Sequence, residues 1–370
     1  MKIEEFKMER WQSLWENSVD INLSESGVHP MTLKEILGGP LLPDRLLQIS
    51  LGYPQTNGSV ALRKCISDMY EKTTEHHIQV TNGGSEANLL TVLSLVEPGD
   101  EIILMLPNYM QIGGLAQAFG GIIKPFFLHE EDGWAIDPAE LKRLVSIRTR
   151  LIAVCHPNNP TGSILSEGEI RTICEVAASA GAWILADEIY RGAERKGTAS
   201  PSFWGRYERV IVTGGLSKAY GLPGLRIGWI VAPPEFITRT WSCHDYTTIA
   251  PGALSDALAQ AVLHPDYRPI ILERTRGIIR ENFPILAEWV YQNQNYFRMI
   301  APRAGAIAFL HCNLPQNPSN FCRRLLQEKS VLIIPGDQLG MDGFVRIGFG
   351  APQDRLKEGL RRIQELIGNE

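Results

Sequence analysis

Apolar residues in this chain follow two patterns. Between residues 60 and 235, short unbroken apolar blocks alternate with stretches where apolar residues recur every three or four positions. The stretch 85–96 places Leu89, Val92, Leu93 and Val96 at helical spacing and stops at Pro98-Gly99, so it predicts a helix. Similar spacing predicts helices over 60–72 and 167–180. The blocks at 78–81, 101–106, 122–128, 151–155, 183–186, 210–213 and 227–232 predict strands, with another helix between the second and third. Strands without polar alternation are buried on both faces, as in a parallel sheet between two helical layers. The expected fold class is therefore α/β, with a large domain whose mostly parallel sheet lies between helices.

Beyond residue 265 the texture changes. A long helical pattern covers 267–292, with Pro284 expected to kink or interrupt it. Strands at 307–310, 331–334 and 344–349, a helix at 321–329 and a final helix from Asp354 predict a smaller α+β domain. The first 45 residues are expected to pack onto it, giving a large domain over 46–275 and a small one from 1–45 and 276–370. No internal repeat or low-complexity tract interrupts this order.

Composition narrows the function classes. The chain has 370 residues, 44% hydrophobic and 21% charged, which suits a globular protein of two domains. Its net charge of −5 comes without any basic cluster, which argues against a nucleic-acid surface. The apolar runs are strand-length, so no membrane span is expected, and MKIEEFKMERW lacks the apolar core of a signal peptide. The six cysteines are scattered, form no CxxC pair and lie partly in apolar runs, so reduced core thiols and a cytoplasmic location are expected. The eight histidines form no metal constellation, and His76-His77 on a strand would face opposite ways. No metal is expected.

Candidate chemistry centres on Ser217-Lys218-Ala219-Tyr220-Gly221-Leu222-Pro223-Gly224-Leu225-Arg226-Ile227-Gly228-Trp229. Here a lysine follows a predicted strand and enters a Gly/Pro-rich loop, with an arginine eight residues on. A lysine amine in such a loop can face a cleft, where partial desolvation or a nearby cation makes it a usable nucleophile. Asp187-Glu188-Ile189-Tyr190 and His156-Pro157-Asn158-Asn159-Pro160-Thr161-Gly162 each follow a predicted strand end, where ligands gather in open α/β sheets. Thr81-Asn82-Gly83-Gly84-Ser85-Glu86-Ala87 joins a strand to a helix and puts Gly84 and Ser85 at an N-terminus that favours anions. It lacks the GxGxxG dinucleotide fingerprint.

The segment SKAYGLPGLRIGW resembles the cofactor-lysine segment of the class I/II, fold-type I aminotransferases, most closely their capreomycidine synthase-like branch. Ser26 to His29 also resembles an N-terminal stretch of that branch, and the family signatures occur in order from Gly27 to Arg346. The resemblance implies pyridoxal 5′-phosphate (PLP), held as a Schiff base on Lys218. It implies that Asp187 pairs with the ring nitrogen, that Tyr190 and Asn159 hydrogen-bond the phenolic oxygen, and that Tyr109 of Pro107-Asn108-Tyr109 stacks on the ring. Gly84, Ser85, Ser217 and Arg226 are the implied phosphate ligands, joined by Tyr53 from the neighbouring subunit of a homodimer. Arg346 grips the substrate carboxylate, with Asn159 and Gly27 also at the substrate. Gly215 departs from the pattern, since many relatives carry serine there; the missing hydroxyl is either absent or replaced by Thr213 or water.

The implied activity is amino transfer between an amino acid and a 2-oxo acid. The same lysine, aspartate and arginine also support a PLP-dependent lyase, decarboxylase or cyclase. A PLP-sensing transcriptional regulator would need an N-terminal helix-turn-helix, for which the match beginning near residue 27 leaves no room. The identity of the amino acid is not legible at this level.

Overall fold

The structure, a computed structural model, describes residues 2–37 and 43–368. Eight strands form the main sheet, in the order Ile78–Thr81, Gly228–Val231, Val210–Gly215, Trp183–Asp187, Thr149–Cys155, Glu101–Leu106, Ile122–His129 and Ala135–Ile136. The five strands from Val210–Gly215 to Ile122–His129 run parallel, joined by crossover helices such as Gln111–Ala118 and Glu167–Ala180. Gly228–Val231 runs antiparallel to both neighbours. The lysine loop before it holds a single 3-10 turn, Pro223–Leu225, and no crossover helix, so the chain returns directly.

Every residue of Glu101–Leu106 and of Val210–Gly215 is buried. Successive residues feed opposite cores: Ile103, Met105, Ile152 and Val154 join one hydrophobic cluster, while Ile102, Leu104, Leu151 and Ala153 join the other. That two-residue period across a doubly covered sheet explains the unbroken apolar blocks.

A second, antiparallel sheet orders Phe297–Met299, Ile307–Cys312, Phe344–Gly348 and Ile334–Pro335. The segment expected as one strand over 331–334 divides its hydrogen bonds between two partners. Val331–Leu332 pairs in parallel with Ile21–Asn22, and Ile334–Pro335 joins the antiparallel sheet. Trp11 adds a bond from its indole N–H to the Ile333 carbonyl (3.0 Å). The N-terminal segment is thereby stitched to the C-terminal one.

Two local expectations change. The helix expected over 60–72 stops at Ser67. The helix Arg268–Gln292 continues through Pro284, without the interruption its sequence suggests. Buried residues anchor it on both sides of the proline, among them Ile279, Leu286 and Val290. Asn282 adds two 2.7 Å bonds from Nδ2 to the carbonyls of Phe349 and Ala351. Tertiary packing thus outweighs the one backbone bond that proline removes. Among the described residues, no helix is long and apolar enough to cross a membrane.

Candidate active site

A cavity of about 440 Å³ opens at the carboxyl ends of the parallel strands. Gly84, Ser85, Tyr109, Asn159, Asp187, Tyr190, Ser217, Lys218, Arg226 and Arg346 all line it. Residues as far apart in sequence as 84 and 346 meet there because each follows a strand end or sits on a strand beside one. Gly27 lies behind the lysine, where a Cβ would come 3.6 Å from Lys218 Cδ. Tyr53 is 87% exposed and outside the cavity of its own chain.

Asp187 ends the strand Trp183–Asp187 and is buried. Burial pushes its carboxyl above the usual range, against hydrogen bonds from Asn88 Nδ2 to Oδ2 and from the Ile189 N–H to Oδ1, both 3.1 Å. No cationic side chain among the described residues forms an ion pair with it. Arg346 has the opposite deficit. It is 1% exposed, its Nη1 donates to Asn159 Oδ1 (2.9 Å) and its Nη2 to the Ser24 carbonyl (2.6 Å), while Nε has no acceptor among the described residues. The arginine fixes Asn159 with its Nδ2 left as a donor. Asn158 clamps the same loop, donating to the Pro107 carbonyl (3.1 Å) and accepting from Thr161 Oγ1 (2.7 Å).

The helix Gly84–Leu95 begins at one end of the cavity, where its unpaired N–H groups favour an anion. A Cβ on Gly83, whose φ is +90°, would collide with the Arg226 guanidinium, so glycine lets that cation lie against the helix start. A side chain at Gly215 is excluded, since its Cβ would stand 2.9 Å from both Ile189 Cδ1 and the Ile227 carbonyl oxygen. Thr213 does not stand in for the missing hydroxyl, because its Oγ1 donates to Asn88 Oδ1 (2.9 Å).

Several contacts were not legible in sequence. Tyr109 donates its hydroxyl to Glu9 (2.7 Å) and meets the Phe6 ring edge-on, centroids 4.9 Å apart. The N-terminal helix Lys7–Trp15 therefore holds that ring in place. Tyr190 is buried, which pushes its phenol up against the opposing influence of Arg346 and the Ser26 side chain. Glu9, Glu16 and Glu25 line the cavity from the N-terminal segment. Lys218 Nζ lies 3.7 Å from Glu25 Oε2. Burial, together with Glu25 and Glu9, raises the Glu16 carboxyl. These residues carry no motif, and only their convergence on one opening distinguishes them from surface charge.

Glu188, beside Asp187, accepts from Ser202 Oγ and the Phe203 N–H, both 2.8 Å, while its Oε2 has no hydrogen-bond partner among the described residues. Burial pushes this carboxyl up to about 7 despite Arg191 nearby. An unfolded chain releases this proton near the ordinary value of 4.5, whereas the folded chain keeps it until about 7, so stability falls as pH rises through that window. Glu188→Gln is expected to flatten the fall between pH 5 and pH 8 by roughly 2 kcal/mol. Urea unfolding of both proteins at the two pH values measures it, and an equal fall in both would exclude this role.

This arrangement has close counterparts. The sequence profile of the family "Aminotransferase class I and II" matches residues 45–363. Capreomycidine synthase of Streptomyces vinaceus is 33% identical over 353 residues, covering 94% of this chain and 90% of that protein. A PLP-dependent aminotransferase from Streptococcus suis superposes with a TM-score of 0.94 at 33% identity, covering 100% of this chain and 99% of that one. The PLP-dependent cyclase OrfR superposes at 0.90 with 28% identity, covering 100% and 98%.

PLP is the cofactor of the family, and the residues present fit it. Asp187 is a buried carboxylate awaiting a cation, which a protonated pyridine nitrogen provides. Arg226, Ser217 and the helix start at Gly84 would suit the cofactor's phosphate, and Lys218 would supply the amine for its aldehyde. With the profile spanning most of the chain and the cavity furnished in this way, the protein belongs to the class I and II aminotransferase family.

Proposed function

We propose that this chain is a PLP-dependent aminotransferase, moving an amino group from an amino acid to a 2-oxo acid. The observation that carries this reading is a pair of complementary deficits in one cavity. Among the described residues, a buried carboxylate, Asp187, has no cationic ion-pair partner, and a buried guanidinium, Arg346, has no carboxylate partner. A charged group so placed is costly unless a ligand completes it.

In this reading Lys218 Nζ would hold the aldehyde end of the cofactor, and Asp187 would pair with its ring nitrogen and favour the protonated form. Tyr190 and Asn159 steady the phenolic oxygen, and Tyr109 packs against the ring. Gly84, Ser85, Ser217 and Arg226 hold the phosphate. When bound, PLP supplies an electron-withdrawing ring that takes up charge from the substrate Cα. Arg346 grips the substrate carboxylate through a planar fork, with Gly27 and Asn159 beside it. Lys218 Nζ would take up the substrate Cα proton and later give a proton back, acting as base and then acid. Tyr53, exposed beside Leu51, supports a homodimer in which it completes the neighbouring phosphate seat. A single-chain mass in sedimentation would remove that part.

The carboxylates of Glu9, Glu16 and Glu25 favour a donor whose side chain carries positive charge. Arginine, lysine and ornithine are expected to exceed aspartate as donors by at least about tenfold in kcat/KM, an increment of about 1.4 kcal/mol. Glu16→Gln combined with Glu25→Gln is expected to shrink that margin. Equal use of aspartate and arginine would remove the substrate assignment.

A second reading is an intramolecular cyclase or lyase, favoured by the likeness to capreomycidine synthase and to OrfR. Product analysis separates the two. Amino transfer consumes a 2-oxo acid acceptor in step with the donor and turns it into an amino acid, whereas donor consumption that needs no acceptor would establish the second reading.

A further inference from the structure

The strand pairing sets Thr213 directly opposite Asp187, so their side chains leave the same face of the sheet. The helix Gly84–Leu95 packs across that face and inserts Asn88, 2% exposed, between them. Both ends of the Asn88 amide are occupied. Nδ2 donates to Asp187 Oδ2 (3.1 Å) and lies 3.3 Å from Gln111 Oε1, while Oδ1 accepts from Thr213 Oγ1 (2.9 Å). Gln111 in turn donates from Nε2 to the Ser85 carbonyl (3.0 Å).

We propose that Asn88, oriented by Thr213, is a positioning residue that holds Asp187 as a carboxylate facing the cavity and ties it to the anion-binding helix start. The proposal rests on the PLP reading above.

The orientation follows from what each partner is able to offer. An ionised carboxylate only accepts, so the amide nitrogen must face Asp187 and the amide oxygen must face Thr213. A hydroxyl facing an amide oxygen has to donate. The carboxylate itself disfavours the flipped amide, which would press Asn88 Oδ1 against it, and Thr213 supplies the donor that the amide oxygen needs in the favoured orientation. Asp187 keeps two protein donors, Asn88 and the Ile189 N–H, and its remaining lone pairs are open to the cavity. In a dry site each donor to a charged group carries a substantial share of that charge's stabilisation. Losing one shifts the carboxyl toward its neutral form and weakens its hold on a cationic ring. The bond through Gln111 to Ser85 also couples the two ends of the ligand site, so an error at Asn88 reaches both.

The test uses the full-length protein, stripped of PLP and titrated with it. Thr213→Val keeps the shape and removes the hydroxyl, Thr213→Ser keeps the hydroxyl, and Asn88→Ala removes the amide. PLP Kd is read from fluorescence quenching, the pH dependence of the bound cofactor's visible absorbance is titrated, and kcat and KM are measured separately. Thr213→Val and Asn88→Ala are expected to weaken PLP about tenfold or more. They are also expected to shift the absorbance titration and lower kcat more than they raise KM. Thr213→Ser is expected to return near the wild-type value. Because Thr213 acts through Asn88, adding Thr213→Val to Asn88→Ala is expected to cost little more.

Folded variants with wild-type PLP affinity and an unchanged absorbance titration would overturn the proposal, as would fully additive losses, which mark simple packing. If Asn88→Ala does not fold, the Thr213 pair decides alone. A wild-type protein that takes up no PLP would overturn the functional reading itself. Uptake by wild type with matching variants overturns only the relay.

Discussion

Lys218→Ala is expected to lower turnover by at least about 10³-fold, from the loss of one group acting as nucleophile and then as base and acid. The variant should still fold. Its ion pair with Glu25 spans 3.7 Å between side chains that are 25% and 55% exposed, and such pairs contribute about 1 kcal/mol or less. It should also still take up PLP, since Asp187, Arg226 and the helix start are untouched. Borohydride reduction followed by peptide mapping separates binding from attachment. Wild type is expected to retain the cofactor on the peptide containing Lys218, and the variant to release it on unfolding. Full activity in the variant, or trapping on another lysine, would show that the amine has been misassigned.

Arg346→Lys is expected to reduce kcat/KM by about 10²-fold or more, the scale of breaking a buried charge pair. Lysine keeps the charge but presents a point donor in place of a planar fork, so a carboxylate loses its two-pronged contact. Arg346 also supports Asn159, whose Oδ1 it engages at 2.9 Å, so part of the loss should appear in kcat. PLP absorbance should persist because no proposed phosphate or ring ligand changes. Steady-state kinetics with an α-amino acid and with the matching amine, which has no carboxylate, give the decisive comparison. Wild type should strongly prefer the acid, and the variant should lose most of that preference. A variant that still favours the acid to the wild-type degree would place carboxylate recognition elsewhere.

Both predictions depend on residues that stood out before any fold was known. Lys218, Asp187 and Asn159 follow apolar blocks that could only be buried strands, and such strand ends are where an open sheet offers a cleft. Local chemistry confines them: glycines and prolines around Lys218, a turn at Asn159, a helix start at Gly84. Those constraints act between near neighbours, so they are written in consecutive residues. The unbroken apolar blocks likewise announced a sheet covered on both faces, since each strand had to feed two cores.

What the tertiary structure decided is everything that depends on contacts between distant segments. Asn88 became a partner of Asp187 only because one helix crosses two adjacent strands in a given register. Glu9 reached Tyr109 across 100 positions, with no spacing to betray it. Thr213, a reasonable substitute for a missing phosphate donor by its place in the chain, is turned toward Asn88 instead. Pro284 predicts a kink or an interruption, yet packing on both sides keeps its helix continuous. Periodicity and turn chemistry report short-range energies, which a linear pattern can hold. Burial, orphaned donors and converging charges arise when segments meet, and their energies belong to the assembled cavity.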